Sequence, residues 1–219
     1  MSETNQIAKG LYALISTGES SNCFLLKGEK NALVDSGLEK NSIAIKDFIL
    51  QAGLQLEDIN FIFHTHAHCD HFQADMLFPK AEILASKEEA EKLNGKDYYY
   101  TASELFASNY FPEVSSFLKG GQEIKLKPFK LKVISTPGHT KGGLCFYEPG
   151  LKALFSGDTV FNGAVGRSDL IGGNKEELVE SLKKLSKLKI EFLLPGHGEI
   201  LEGAEENKKN LENAINLLI

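Results

Sequence analysis

This sequence of 219 residues holds a single arginine, Arg167, among 24 basic residues. It has only three cysteines, Cys23, Cys69 and Cys145. They are odd in number and widely spaced, which excludes a framework of paired disulfides and points to a reducing, cytoplasmic setting. No apolar run approaches the ~20 residues that a membrane helix needs. The longest, Ile59 to Phe63, is already broken by Asn60. The opening Met1-Ser2-Glu3-Thr4-Asn5-Gln6 is polar and has no basic region before an apolar stretch, so no secretory signal is expected. Positive charge is scarce as well: the net charge is −6. The strongest basic run, Lys183, Lys184, Lys187 and Lys189, reads as the solvated face of a helix. Nucleic-acid binding rests on phosphate neutralisation by basic clusters, so no nucleic-acid partner is expected. What is present is an ordinary globular composition, with 42% hydrophobic and 25% charged residues. A chain of this length buries a core without disulfide staples, and it suits one domain, residues 1–219.

Short β-type runs alternate with helical ones. Leu11–Ser16, Asn22–Lys27 and Asn31–Asp35 read as strands, the last two joined by a Gly-Glu-Lys turn. Ser42–Ala52 has apolar residues at 43, 45, 48 and 49 and reads as an amphipathic helix ending near Gly53. Asn60–Phe63 lacks polar alternation, as a strand buried on both faces does. Ala81–Ala85 is a further strand, and Ser86 to Leu93 a helix with Ser86 as N-cap and Glu89 completing a capping box. Phe129–Ser135, Leu144–Tyr147, Ala153–Phe155 and Ile190–Leu194 read as strands. Asn174–Leu185 and Glu205–Leu217 read as helices. The alternation argues an α/β fold with helices covering sheet structure.

Residues 94–121 stand apart. They hold Tyr98, Tyr99, Tyr100, Phe106, Tyr110, Phe111 and Phe117, seven of the chain's 20 Phe and Tyr residues. Two short helices are expected, near 102–110 and 112–119, with Pro112 opening the second and Gly120 ending it. This insertion serves either to cover core, or a dimer contact, or as an aromatic wall over a pocket.

Four of the six histidines fall within Phe63-His64-Thr65-His66-Ala67-His68-Cys69-Asp70-His71. This run follows the buried strand directly, and loops leaving strand ends are where α/β proteins place their sites. Imidazoles two apart in extended backbone project to one side, and Asp70-His71 adds an oxygen and another nitrogen. Such donors suit zinc, and less specifically iron or manganese. His139 in Thr-Pro-Gly-His-Thr, Asp158 in Ser-Gly-Asp-Thr and His197 in Pro-Gly-His-Gly each follow a strand too. Four strand ends therefore deliver metal-competent side chains.

His66-Ala67-His68-Cys69-Asp70-His71 resembles the His-x-His-x-Asp-His signature of the metallo-β-lactamase superfamily, and the three later segments resemble its other metal motifs in order. The resemblance implies an αββα sandwich, two mixed β-sheets flanked by helices, with two divalent metal ions at one edge. It implies that His66, His68 and His139 hold one ion, that Asp70, His71 and His197 hold the other, and that Asp158 bridges them. His64 falls outside the pattern and is expected to pack or hydrogen-bond behind the site. Cys69 is expected to turn away. Asp35 resembles a family aspartate that supports the histidine loop; plain turn-capping would also suit it.

Two ions ~3.5–4 Å apart hold a water and lower its pKa from ~15.7 towards ~7, so hydroxide needs no protein nucleophile. Hydrolysis of an ester-like bond in a small-molecule substrate is the expected reaction, with Asp70 as the residue that orients the water or passes its proton on. Gly157 to Gly173 resembles the matching segment of small glyoxalase II-like hydrolases, which act on thioesters. A mononuclear-iron persulfide dioxygenase shares a related segment. A lactonase, a phosphoester hydrolase and a non-catalytic metal-binding protein are also compatible with these motifs. Only about 20 residues follow His197, so the helical domain with which full-length glyoxalase II grips glutathione is not expected. Arg167 is expected either to clamp an anionic substrate group through its planar fork or to pair with a carboxylate such as Asp169.

Overall fold

The computed structural model describes residues 5–219. Two mixed sheets stack face to face. The first has seven strands in sequential order: β1 (Asn5–Ala8), β2 (Leu11–Leu14), β3 (Cys23–Leu26), β4 (Asn31–Val34), β5 (Ile59–Phe63), β6 (Glu82–Ser86) and β7 (Ser116–Leu118). Its first four strands are antiparallel, and β4 to β7 run parallel. The second sheet reads β13 (Leu201–Glu202), β12 (Phe192–Pro195), β11 (Ala153–Gly157), β10 (Leu144–Glu148), β9 (Lys130–Ser135) and β8 (Glu123–Lys125) across its width.

The period-two pattern of the strands builds the layers. In β3, Phe24 and Leu26 point between the sheets, where they meet Phe63, Val133, Phe146 and Phe155. Cys23 and Leu25 point the other way, under Ile45, Phe48 and Ile49 of α1 (Ser42–Gln51). On the far side, Cys145, Leu154 and Leu193 are covered by Leu178, Leu182 and Leu185 of α4 (Lys175–Leu185) and by Leu211 and Ala214 of α5 (Ala204–Leu218). The order helix, sheet, sheet, helix is the expected αββα sandwich. A further cluster joins Phe72 of α2 (Cys69–Phe72), Ala90 and Leu93 of α3 (Lys87–Asn94) and Tyr100. Among the described residues no helix is long and apolar enough to cross a membrane.

The two helices expected in the aromatic-rich insertion do not form. The first is one 3-10 turn, Ser103–Phe106, because Ala102 and Ala107 at its two ends adopt left-handed backbone (φ 52° and 48°), which an α-helix cannot pass through. In place of the second, residues 116–118 form β7, whose Phe117 and Leu118 lie opposite Ala85 and Ser86 of β6. The open hydrogen-bonding edge of β6 outcompetes local helix formation.

Strand direction gathers the site. Both β9 and β11 are antiparallel to β10, and β11 is parallel to β12. The C-terminal ends of β9, β11 and β12 therefore leave the second sheet at the same edge. The loop after β5 joins them there, through the Leu144 amide donating to the Thr65 carbonyl at 2.8 Å.

Candidate metal centre

Each metal-competent side chain sits one to eight residues past a strand end. His66 and His68 lie on the extended loop after β5, and Asp70 and His71 ride the single helical turn of α2. His139 follows β9 in a turn closed by the Gly138 amide donating to the Thr140 carbonyl at 3.0 Å. Gly138 has φ 136°, and a Cβ there would stand 2.3 Å from the backbone of Leu178 in α4, so only glycine lets the helix dock on this turn. Asp158 follows β11, and His197 follows β12. A Cβ on Gly196 would lie 2.2 Å from Asp158 Oδ1, so the Pro-Gly-His turn also needs its glycine to approach the donors.

All seven side chains converge into two groups of three joined by one carboxylate. In the first, His68 Nδ1 lies 3.1 Å from His66 Nε2 and 3.0 Å from His139 Nε2. In the second, Asp70 Oδ2 lies 3.0 Å from His197 Nε2 and 3.6 Å from His71 Nε2. Asp158 Oδ2 stands between them, 3.6 Å from His139 Nε2 and 3.7 Å from His197 Nε2. Tetrahedral zinc with Zn–N bonds of about 2.0–2.1 Å keeps its donors roughly 3.3 Å apart, which is the scale of these separations. His71 Nε2 and Asp158 Oδ1 are buried without a hydrogen-bond partner, a deficit that a cation would fill. The donor set therefore fits divalent metal ions.

The second nitrogen of three of these histidines is tied down. His139 Nδ1 donates to the Arg167 carbonyl at 2.7 Å, leaving Nε2 free to bind. His71 Nδ1 lies 2.8 Å from Asp35 Oδ2, and His66 Nδ1 lies 3.1 Å from Thr65 Oγ1. Asp35 also accepts from the Thr65 amide and hydroxyl at 2.9 and 2.8 Å, so one carboxylate holds both ends of the histidine loop. His64 lies behind this layer, with Nε2 2.7 Å from Asp75 Oδ2 and Nδ1 3.5 Å from Asp35 Oδ1. Such outer partners set ring orientation and ligand basicity.

Besides Asp75, two supporting residues escape a reading of the sequence. The structure corrects the capping box of α3. The Ser86 hydroxyl does accept from the Glu89 amide, but the Glu89 carboxylate turns inward instead of back to Ser86. Wholly buried, it accepts from the Ala67 amide at 2.8 Å, the Gly142 amide at 2.7 Å and the Tyr100 hydroxyl at 2.8 Å. It thereby ties the His66–His68 loop to the segment after His139. Asn22 does the same for the last turn, donating to the Pro195 and Gly198 carbonyls at 2.9 Å each. An acid three residues into a helix signals only a cap, and a lone asparagine signals only a turn.

Charge in the site is polarised. Burial, then the neighbouring His71 and His68 imidazoles, hold His66 well below the usual histidine range. Burial and His139 bring His68 down to about 3. Both are therefore neutral with free lone pairs. Burial opposes protonation of His71 too, but Asp158, Asp35 and Asp70 outweigh it and raise the ring well above its ordinary value. Burial would raise Asp158, yet His71 and the other imidazoles draw it far down. The second group thus demands positive charge, which a divalent ion supplies better than one proton. Cys69 is buried beside these donors but belongs to none of the groups they form, and burial pushes its thiol up.

A cleft of about 350 Å³ opens over the donors, its floor made by His68, Asp70, His139, Asp158 and His197. The insertion borders it through Ala102, Leu105 and Phe106. Of the insertion's seven aromatics only Phe106 reaches the cleft, whereas Tyr100, Tyr110 and Phe111 pack in the cluster beneath. Arg167 also reaches the rim, with Nε 3.0 Å and Nη2 2.8 Å from the two carboxylate oxygens of Asp169.

A four-layer sandwich with seven His and Asp donors at the ends of its strands defines a metal-dependent hydrolase. Residues 16–197 match the family profile of the metallo-beta-lactamase superfamily, and the chain belongs to that superfamily. A probable metallo-hydrolase of Methanocaldococcus jannaschii is 36% identical over 192 residues, which covers 84% of this chain and 90% of that protein. A hydroxyacylglutathione hydrolase of Brucella ovis is 32% identical over 186 residues; the match takes in 84% of this chain but only 63% of that relative. Among solved structures, a metallo-beta-lactamase family protein from Thermus thermophilus superposes with a TM-score of 0.80 at 22% identity. That match covers 97% of this chain and 80% of the other.

Proposed function

We propose that the chain is a binuclear hydrolase that cleaves a thioester or a related carboxylic ester of a small molecule, with zinc as the metal pair. The observation that carries this reading is the shared carboxylate: Asp158 Oδ2 reaches both donor groups, at 3.6 and 3.7 Å. The likeness to a hydroxyacylglutathione hydrolase supports the thioester class. Two bound divalent ions would supply a polarised carbonyl and a water acidified towards neutral pH. The chain's own residues do the rest. His66 and His68, both neutral, offer lone pairs on one side together with His139 Nε2, whose ring is held by the Arg167 carbonyl, and His71, held by Asp35, orients the other. Asp70 is the one carboxylate of the second group that also faces the cleft, so it orients the incoming water and returns a proton to the leaving thiolate or alkoxide. The balance is simple: the acyl carbon gains the water oxygen, the C–S or C–O bond breaks, and the leaving atom takes the proton.

Metal analysis of protein purified without added metal, followed by chelation and assay on thioesters and lactones, tests this. Two zinc ions per chain, with turnover abolished by chelation and restored by zinc, is the expected result. A single iron with oxygen-dependent turnover of a persulfide would replace it with sulfur oxidation. Metal binding without turnover of any ester would leave a binding protein.

A further inference from the structure

The two walls of the cleft are apolar. One is the insertion turn, with Ala102, Leu105 and Phe106; the other is the loop after β11, with Phe161, Val165 and Leu170. Leu105 is 75% exposed although it sits on the rim. Exposed leucine is common by itself, but six apolar side chains lining one opening above the His and Asp groups form a surface that a bound ligand would dry. Apart from Arg167 at the rim, the polar side chains that line the cleft are the His and Asp groups of its floor.

Arg167 is the only Lys or Arg side chain that lines the cleft, and one edge of its guanidinium is already taken. Asp169 takes both Nε and Nη2, and the pair stands open to solvent at 67% and 69% exposure. An anionic substrate group that reaches the remaining Nη1 and Nη2 hydrogens meets a guanidinium whose charge Asp169 already balances. The rim therefore offers an acyl chain no net positive charge, while the walls offer it apolar contact on two sides.

From this we infer that the cleft selects an uncharged, apolar acyl group, held between the 102–106 turn and the 161–170 loop, and discriminates against acyl groups ending in a carboxylate. The inference rests on the hydrolase reading above and names its substrate class. The volume, about 350 Å³, lies at the small end for ligand sites and suits a short acyl chain.

Uncharged amide analogues of acyl thioesters, which are not cleaved, test the pocket without chemistry. Acetyl, butanoyl and hexanoyl amides of a small neutral amine, with the succinyl amide as the charged match of butanoyl, are titrated calorimetrically into the zinc-loaded and the metal-free protein. Affinity should rise about fourfold per added methylene until the cleft is filled. The succinyl amide should bind at least tenfold more weakly than the butanoyl one. Leu105→Asn, at an exposed position that leaves the fold intact, should flatten the chain-length slope. A slope of zero, or preference for succinyl over butanoyl, overturns the inference. The corresponding thioesters are then assayed with the zinc-loaded enzyme. Failure to cleave any of them sinks the hydrolase reading, while the binding slope still decides the pocket.

Discussion

His64 occupies the middle of a buried row of His and Asp side chains, Asp75, His64, Asp35 and His71, that ends at the candidate metal centre. Burial alone would lower its pKa, but Asp75 and Asp35 outweigh that and raise it to about 9, from an ordinary 6.5. Burial would likewise raise the Asp35 carboxyl, which His71 and His64 instead hold down at about 2, from 3.8. The signs then follow. The His64 contribution to stability is complete below pH 6.5 and is lost as pH rises through about 9. The Asp35 contribution is present above pH 3.8 and is lost as pH falls through about 2. The melting temperature of metal-free protein should therefore decline from pH 6.5 to 9, by an amount that corresponds to at most about 3 kcal/mol. His64→Gln should flatten that limb, and an unchanged limb would show that the ring carries no buried proton. A second prediction concerns Glu89. In Glu89→Gln one of the two amides, of Ala67 or Gly142, loses its acceptor. That should cost ~1–3 kcal/mol of stability and weaken zinc binding ~10–100-fold, read by competition with a chelating dye. The convergence of the seven donors is legible in the sequence because metal chemistry demands nitrogen and oxygen at short spacing on strand-end loops. Glu89, Asp75 and Asn22 are not, because the partners that tie them to the site are loop groups that lie 11 to 176 residues away.

At the scale of elements, the buried strands and the amphipathic helices are legible from period and caps. Asn174 caps α4 as its position predicts, its side chain accepting from the Glu177 amide at 2.9 Å. The short edge strands β1, β8 and β13 leave no such trace, since two to four residues show no period and owe their conformation to the neighbouring strand. The insertion departs from expectation for a different reason: its alanines favour helix locally, yet Ala102 and Ala107 are held left-handed, and β7 answers to β6. That strain is testable at Ala107, whose side chain is exposed and whose φ is 48°. Ala107→Gly should be neutral or slightly stabilising, whereas glycine in an ordinary helix costs about 1 kcal/mol. Ala107→Val should cost ~1–3 kcal/mol, because a β-branched side chain tolerates positive φ poorly. Urea unfolding midpoints of the two variants measure the difference. Equal destabilisation by glycine and valine would show that the turn is not strained.

Over the whole molecule, the seven His and Asp side chains of the candidate centre sit where four loops from two sheets meet, and no single element holds the site. The loops after β5, β9, β11 and β12 present carboxylates and buried imidazoles to one another. Without cations, like charges and unpartnered donors oppose this convergence; with them, the same atoms clamp the sheets together. Metal should therefore act as a stability ligand for the fold. A site filled at one hundred times its dissociation constant adds about 2.7 kcal/mol. For a chain of this size each kcal/mol corresponds to ~2–4 °C, so zinc should raise the melting temperature by ~5–10 °C per filled site. Binding must also expel the His71 proton, since the ring is held above its ordinary value by Asp158, Asp35 and Asp70. The stabilisation by zinc should therefore shrink as pH falls from 8 to 6, and calorimetry in buffers of different ionisation heat should record proton release. Asp158→Asn removes the carboxylate shared by both groups and should reduce the stoichiometry below two ions as well as the thermal gain. Full stoichiometry and an undiminished gain in that variant would show that Asp158 does not join the two groups.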